Sequence, residues 1–131
     1  DDYGHHPTEV QAVIDTARSV WPDRRLAMVY QPHRYSRTRD LFEDFVRVLS
    51  QVDALMLLDV YAAGEQVIPG CEGQSLSQAI RQRGDVSPVF ASDAVEALDL
   101  MPSFCSDGDV LLVQGAGNVS SVSNRLRGHD A

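Results

Sequence analysis

A chain of 131 residues has room for one core, and its 44% hydrophobic and 23% charged residues are those of an ordinary globular chain. A disordered segment, a collagen-like fibre and a disulfide-stapled miniprotein are excluded; no apolar run reaches the ~18–20 residues of a membrane span, and no secretory signal is expected. Nineteen acids against eleven bases leave a net charge of −8, which argues against nucleic acid as a partner; because every base is arginine, the chain supplies no phosphate-loop, Schiff-base or catalytic lysine.

The two cysteines, Cys71 and Cys105, belong to no motif and fit free thiols in a reducing compartment, so a cytoplasmic location is expected. The chain begins at Asp1 without a methionine, and a helix signal follows at once. It is read as a piece of a longer polypeptide, with 1–131 forming one domain.

The elements alternate. Pro7 and Thr8 open a helix whose Val10, Val13, Ile14, Ala17, Val20 and Trp21 share one face, and Pro22 closes it. Leu26 to Tyr30 reads as a strand, Arg39 to about Val52 as a helix, and Ala54 to Val60 as a buried strand. Residues 60–74 form a long loop of the kind that is usually functional. Ser75 is expected to cap a third helix ending at Gly84, Val86 to Ala91 forms a weak strand interrupted by Pro88, and Ser92 or Asp93 caps a helix to about Met101. Val110 to Gln114 is the clearest strand, followed by Gly115-Ala116-Gly117 and a last helix to Arg127. Short apolar strands separated by helices imply parallel pairing with right-handed crossovers. The expected fold is therefore α/β: an open, mostly parallel, Rossmann-like three-layer sheet with helices on both faces. Ligands of such sheets sit at the carboxyl ends of the strands.

Segments at those ends, together with the one leading into the first helix, carry chemistry. Asp1-Asp2-Tyr3-Gly4-His5-His6 precedes a helix N-terminus, where free N–H groups attract anions, although the same residues also serve as a plain polar cap. Between Arg24 and Arg39 lie five arginines and no acid, a local charge of +5 that leaves −13 for the rest of a chain of −8. Arg34 and Arg37 stand one helical turn apart and can close on one carboxylate; the bland alternative is a solvated face paired with Asp40 and Glu43. Asp59 to Glu65 ends a strand in small residues that permit close approach of a ligand, or simply make a turn. Gly115-Ala116-Gly117 lacks the third glycine and following acid of a dinucleotide fingerprint and reads as a tight strand-to-helix turn. A phosphoacceptor receiver domain is rejected for want of its lysine, and a flavodoxin-like carrier for want of a hydroxyl-rich loop after the first strand.

Taken together and in order, Asp1 to Glu9, Gln31 to Thr38, Asp59 to Glu65 and Gly115 to Gly117 resemble the C-terminal domain of the Mur ligase family. The resemblance covers essentially the whole chain. It implies the third domain of an ATP- and Mg²⁺-dependent amide ligase whose other domains bind the UDP-sugar and carry the phosphate loop. The implied reaction phosphorylates the carboxylate of UDP-N-acetylmuramate and lets the amine of L-alanine attack the acyl phosphate. Two alternatives stay open, the related ligase that recycles cell-wall tripeptide and a stand-alone α/β module for a small anion. By this resemblance Asp2 binds the ATP ribose, Tyr3 and His5 lie near the alanine and the phosphate, and His33, Arg34 and Arg37 hold the alanine carboxylate. Ala63 and Gly64 are assigned to the pocket for the methyl group. The base that deprotonates the ammonium is left open between His5, His33 and water. Neither metal ligands nor a tightly bound cofactor are expected in this chain, and on its own it is expected to be inactive.

Overall fold

The structure is a computed structural model and describes residues 6–115. Helix α1 (Pro7–Val20) starts where expected: Pro7 occupies its first position and the His6 imidazole accepts the Thr8 N–H at 3.1 Å. Val10, Ile14 and Ala17 form its buried stripe. Strand β1 (Leu26–Gln31) is buried along its whole length, which requires cover on both faces. Leu26, Met28 and Tyr30 pack with α1, and Ala27 and Val29 face the opposite side. Each large side chain so removed from water stabilises the fold by at most about 1.5–3 kcal/mol.

Sheet order is β3-β2-β1-β4, and all three pairings are parallel, with β2 at Ala54–Leu58, β3 at Val89–Ala91 and β4 at Val110–Gly115. Helices α3 (Phe42–Leu49) and α4 (Gly73–Arg83) join α1 over one face, and α5 (Ala94–Phe104) covers the other. This is the expected three-layer α/β arrangement. Because β1 lies between β2 and β4, the direction of winding reverses beside it. The loops after β1 and β4 therefore flank a switch point, where an open parallel sheet leaves a crevice.

Several boundaries differ from the sequence reading, some for reasons remote in sequence and some for local ones. The helix expected from Arg39 to Val52 is two: α2 (Tyr35–Asp40) and α3, broken at Leu41. Helix α2 buries Tyr35 and Thr38, with Tyr35 against Val60 and Cys71, whereas α3 buries Phe45, Val46, Val48 and Leu49 against the sheet. One straight helix presents one stripe and cannot serve both surfaces. Helix α4 begins at Gly73 rather than after Ser75, since Asp59 Oδ1 accepts the Gly73 N–H at 3.0 Å from the end of β2. Strand β2 stops at Leu58 and β3 starts only at Val89, after Pro88, which has no N–H to give. Helix α5 is capped by Asp93, whose Oδ1 accepts the Glu96 N–H, and continues through Pro102 to Phe104. The helix expected after Gly117 lies outside the described residues.

Candidate functional site

The carboxyl ends of β1 and β2 are tied together by polar contacts that continue the sheet beyond its strands. Buried Gln31 donates from Nε2 to the Asp59 carbonyl at 3.0 Å. The Tyr61 N–H donates to the Pro32 carbonyl at 2.9 Å, the Arg34 N–H donates to the Tyr61 carbonyl at 2.8 Å, and His33 and Tyr61 form a parallel bridge. Their rings stack, with centroids 5.8 Å apart and planes 16° apart. On the other side of β1, Gly115 is the register partner of Gln31 and has φ +114°. A Cβ there would stand 2.3 Å from the Gln31 carbonyl oxygen, so the glycine of this motif is required by close approach of two backbones.

Arg34 occupies the cap position of α2 at φ +71°, ψ 136°, a region that side chains rarely enter. The turn is held at every polar group: its N–H by Tyr61, and its carbonyl by the Thr38 N–H at 3.2 Å and the Thr38 hydroxyl at 3.0 Å. Arg34 and Arg37 line one open cleft of about 340 Å³ with Ser36, Asp40 and Leu41. Within the basic island, Arg25 pairs with Asp109 and Arg39 with Asp40. Arg34 forms no ion pair among the described residues, so its charge is presented to the cleft. The Tyr30 phenol, buried against Phe45, is pushed far above its ordinary range by desolvation, which the nearby Arg37 charge only partly opposes. It is therefore neutral at any physiological pH. Burial, together with the charges of Asp59 and Glu72, likewise raises the Tyr35 phenol.

Glu65 is the residue whose part in this site sequence reasoning missed. Its carboxylate accepts the Ser36 N–H at 3.1 Å and the Ser36 hydroxyl. Those bonds, a bond from the Tyr35 N–H and the Arg34 charge hold its carboxyl below the usual range, although burial acts the other way. The only local signal is an acid at the end of an otherwise small-residue segment.

Of the site residues expected from sequence, Arg34 and Arg37 line the cleft after β1, whereas His33 lies against Tyr61 and is not among the lining residues. Ala63 and Gly64 are exposed at the tip of the adjacent turn, both at positive φ (+51° and +88°), with the Glu65 N–H donating to the Ala62 carbonyl. They are not among the residues lining the cleft. Asp2, Tyr3 and His5 lie outside the described residues.

A parallel sheet with a switch point and an arginine-lined cleft at its carboxyl edge defines a Rossmann-like α/β domain. The model of the Mur ligase glutamate ligase domain matches residues 1–117, and the chain belongs to the Mur ligase family. It is 57% identical over 126 residues to the UDP-N-acetylmuramate–L-alanine ligase of Methylococcus capsulatus, an alignment covering 96% of this chain and 27% of that protein. The chain thus spans about a quarter of the length of this relative. Among solved structures it is similar to the UDP-N-acetylmuramate–alanine ligase of Thermotoga maritima, with a TM-score of 0.74 and 21% identity over 96% of this chain and 25% of that one. A domain assigned to a UDP-N-acetylmuramate:L-alanyl-γ-D-glutamyl-meso-diaminopimelate ligase of Haemophilus ducreyi matches with a TM-score of 0.67 and 19% identity, over 97% and 85% of the two chains. At these identities the two structures bear on the fold alone.

Proposed function

We propose that this chain is the C-terminal, amino-acid-positioning domain of a UDP-N-acetylmuramate–L-alanine ligase, an ATP-dependent amide-forming enzyme of peptidoglycan synthesis acting in the cytoplasm. The observation that carries this reading is the cleft lined by both Arg34 and Arg37 at the carboxyl edge of the sheet. The 57% identical ligase supports the choice of alanine over a recycled tripeptide.

In this reading the two guanidinium groups grip the carboxylate of alanine through charge-assisted hydrogen bonds. The amine then projects toward the acyl phosphate held by the other domains. His33, braced against Tyr61 at the rim, and His5 remain the two imidazoles suited to take the ammonium proton, with water as the third acceptor. Fixing the amine next to its electrophile removes translational and rotational freedom, an effect of up to ~7–11 kcal/mol in ideal cases. The chain's contribution is therefore orientation rather than covalent chemistry. In the intact enzyme ATP, with Mg²⁺, would supply the phosphoryl group that activates the sugar carboxylate. Among the described residues no group of three or more His, Cys, Asp or Glu side chains is arranged to hold a metal ion. Asp2, the residue assigned to the ATP ribose, is outside the described range.

The test is steady-state kinetics of the intact ligase carrying Arg34→Ala or Arg37→Ala. Loss of a charge-assisted hydrogen bond costs about 1.5–3 kcal/mol, so the KM for alanine is expected to rise about ten- to hundredfold while that for ATP stays put. An unchanged alanine KM in both variants refutes the assignment. The 131-residue chain alone is expected to show no ATP-dependent ligation; turnover by it would contradict the domain reading.

A further inference from the structure

We propose that Glu65 is a positioning residue that acts through Arg34: it latches the loop after β2 onto the start of α2 and so holds the strained turn that aims the Arg34 guanidinium into the cleft. The inference rests on the reading of that cleft as the alanine site.

Helix α2 has no local cap, since Arg34 stands at its cap position and makes no side-chain capping bond. Serine, threonine, aspartate or asparagine would normally accept an orphan N–H there. Glu65 does so from 29 residues away, its Oε1 accepting the Ser36 N–H at 3.1 Å and its Oε2 the Ser36 hydroxyl. Both oxygens accept from Ser36, and the Tyr35 N–H adds a further bond, so the carboxylate is committed to the first two residues of α2. That commitment fixes the separation between the turn at Ala62–Glu65 and the first turn of α2.

Between these two anchors lies Arg34, with a backbone that costs energy to hold. A non-glycine residue persists in such a conformation only where its surroundings over-determine it. Here the constraints come from both sides: Tyr61 and Thr38 hold the Arg34 peptide groups, and Glu65 holds the helix that follows. Without Glu65 the first turn of α2 loses its cap, and only the Tyr61 and Thr38 bonds are left to keep Arg34 at positive φ with its side chain in the cleft. Ala63 at φ +51° is a second non-glycine residue in the left-handed region, on the same loop. Both strained residues thus lie beside the same latch.

The experiment is a double-mutant cycle in the intact ligase, comparing wild type, Arg34→Ala, Glu65→Ala and the double variant, with Ser36→Ala as a milder cut of the same latch. Alanine KM, ATP KM and kcat are measured, alongside thermal unfolding. Glu65→Ala is expected to raise the alanine KM about tenfold with ATP KM and kcat within about twofold, and Ser36→Ala to raise it about threefold. In the Arg34→Ala background, removal of Glu65 is expected to add nothing, because a residue acting through Arg34 has no effect once Arg34 is gone. An additive cycle, or an unchanged alanine KM in Glu65→Ala and Ser36→Ala, overturns the inference. Should Glu65→Ala fail to fold, the same cycle run with Ser36→Ala decides it. If Arg34→Ala itself leaves the alanine KM unchanged, it is the assignment of the cleft that fails.

Discussion

Replacing Gly115 by alanine tests whether the carboxyl edge of the sheet is as closely packed as the geometry requires. Two costs are separable. One is conformational: at φ +114° an L side chain is strained, by about 1–3 kcal/mol. The other is steric. The new Cβ would lie 2.3 Å from the carbonyl oxygen and 2.8 Å from the nitrogen of Gln31, both backbone atoms of the central strand. Gln31 cannot retreat, since β1 is paired on both edges and buried on both faces. Overpacking of this kind adds about 1–3 kcal/mol, so the sum is about 2–6 kcal/mol. Gly84 supplies the control. It caps α4 at φ +90°, and a Cβ added to it would meet no atom within 4 Å, so Gly84→Ala incurs the conformational cost alone. Urea unfolding of the chain followed by circular dichroism measures both variants. The expected result is a stability loss for Gly115→Ala exceeding that for Gly84→Ala by at least about 1 kcal/mol, with equal m-values. Equal losses would show that β4 does not keep its register beside Gln31 and that the two backbones do not approach so closely.

Two further outcomes follow from the same contacts. Gly73→Ala places a Cβ 2.9 Å from both the Asp59 Cα and the Phe90 ring; overpacking outweighs the gain in helix propensity, so a net loss of about 1–2 kcal/mol is expected in thermal unfolding, and a stabilised variant would contradict it. Asp53 accepts the Leu26 N–H at 2.8 Å and pairs with Arg18 at 2.9 Å, and although burial acts to raise its carboxyl, Arg18, the Leu26 N–H and Arg25 together hold it below the ordinary value. A depressed carboxyl stabilises the fold above its unfolded pKa and ceases to do so as pH falls through the folded one. Asp53→Ala should thus cost about 1–2 kcal/mol at pH 7, mostly through the Leu26 bond because the ion pair is partly exposed, and the deficit should shrink below the ordinary carboxylate range near pH 3.8. A deficit constant from pH 7 to pH 3 would assign the effect to packing instead.

What was legible in the sequence is what depends on spacing along the chain. The stripe of Val10, Ile14 and Ala17 (though not the Val20 and Trp21 expected to extend it, which are exposed), the apolar run from Leu26 to Tyr30 and the alternation of strands with helices all follow from hydrophobic patterning. The five-arginine island between Arg24 and Arg39 was equally visible, because charge is a property of composition. Tertiary structure alone decided where helices start and which arginines are left facing the cleft. Helix α2 begins at Tyr35 because Glu65 caps it, and α4 at Gly73 because Asp59 does. Asp109 takes up Arg25 from 84 positions away, whereas Arg34 stays exposed. Each of these depends on a partner that folding brings near, and a hydrogen bond between residues 14 or 29 positions apart leaves no periodic trace. Periodicity reports which face of an element avoids water; it carries no information about which polar group meets which across the end of a sheet.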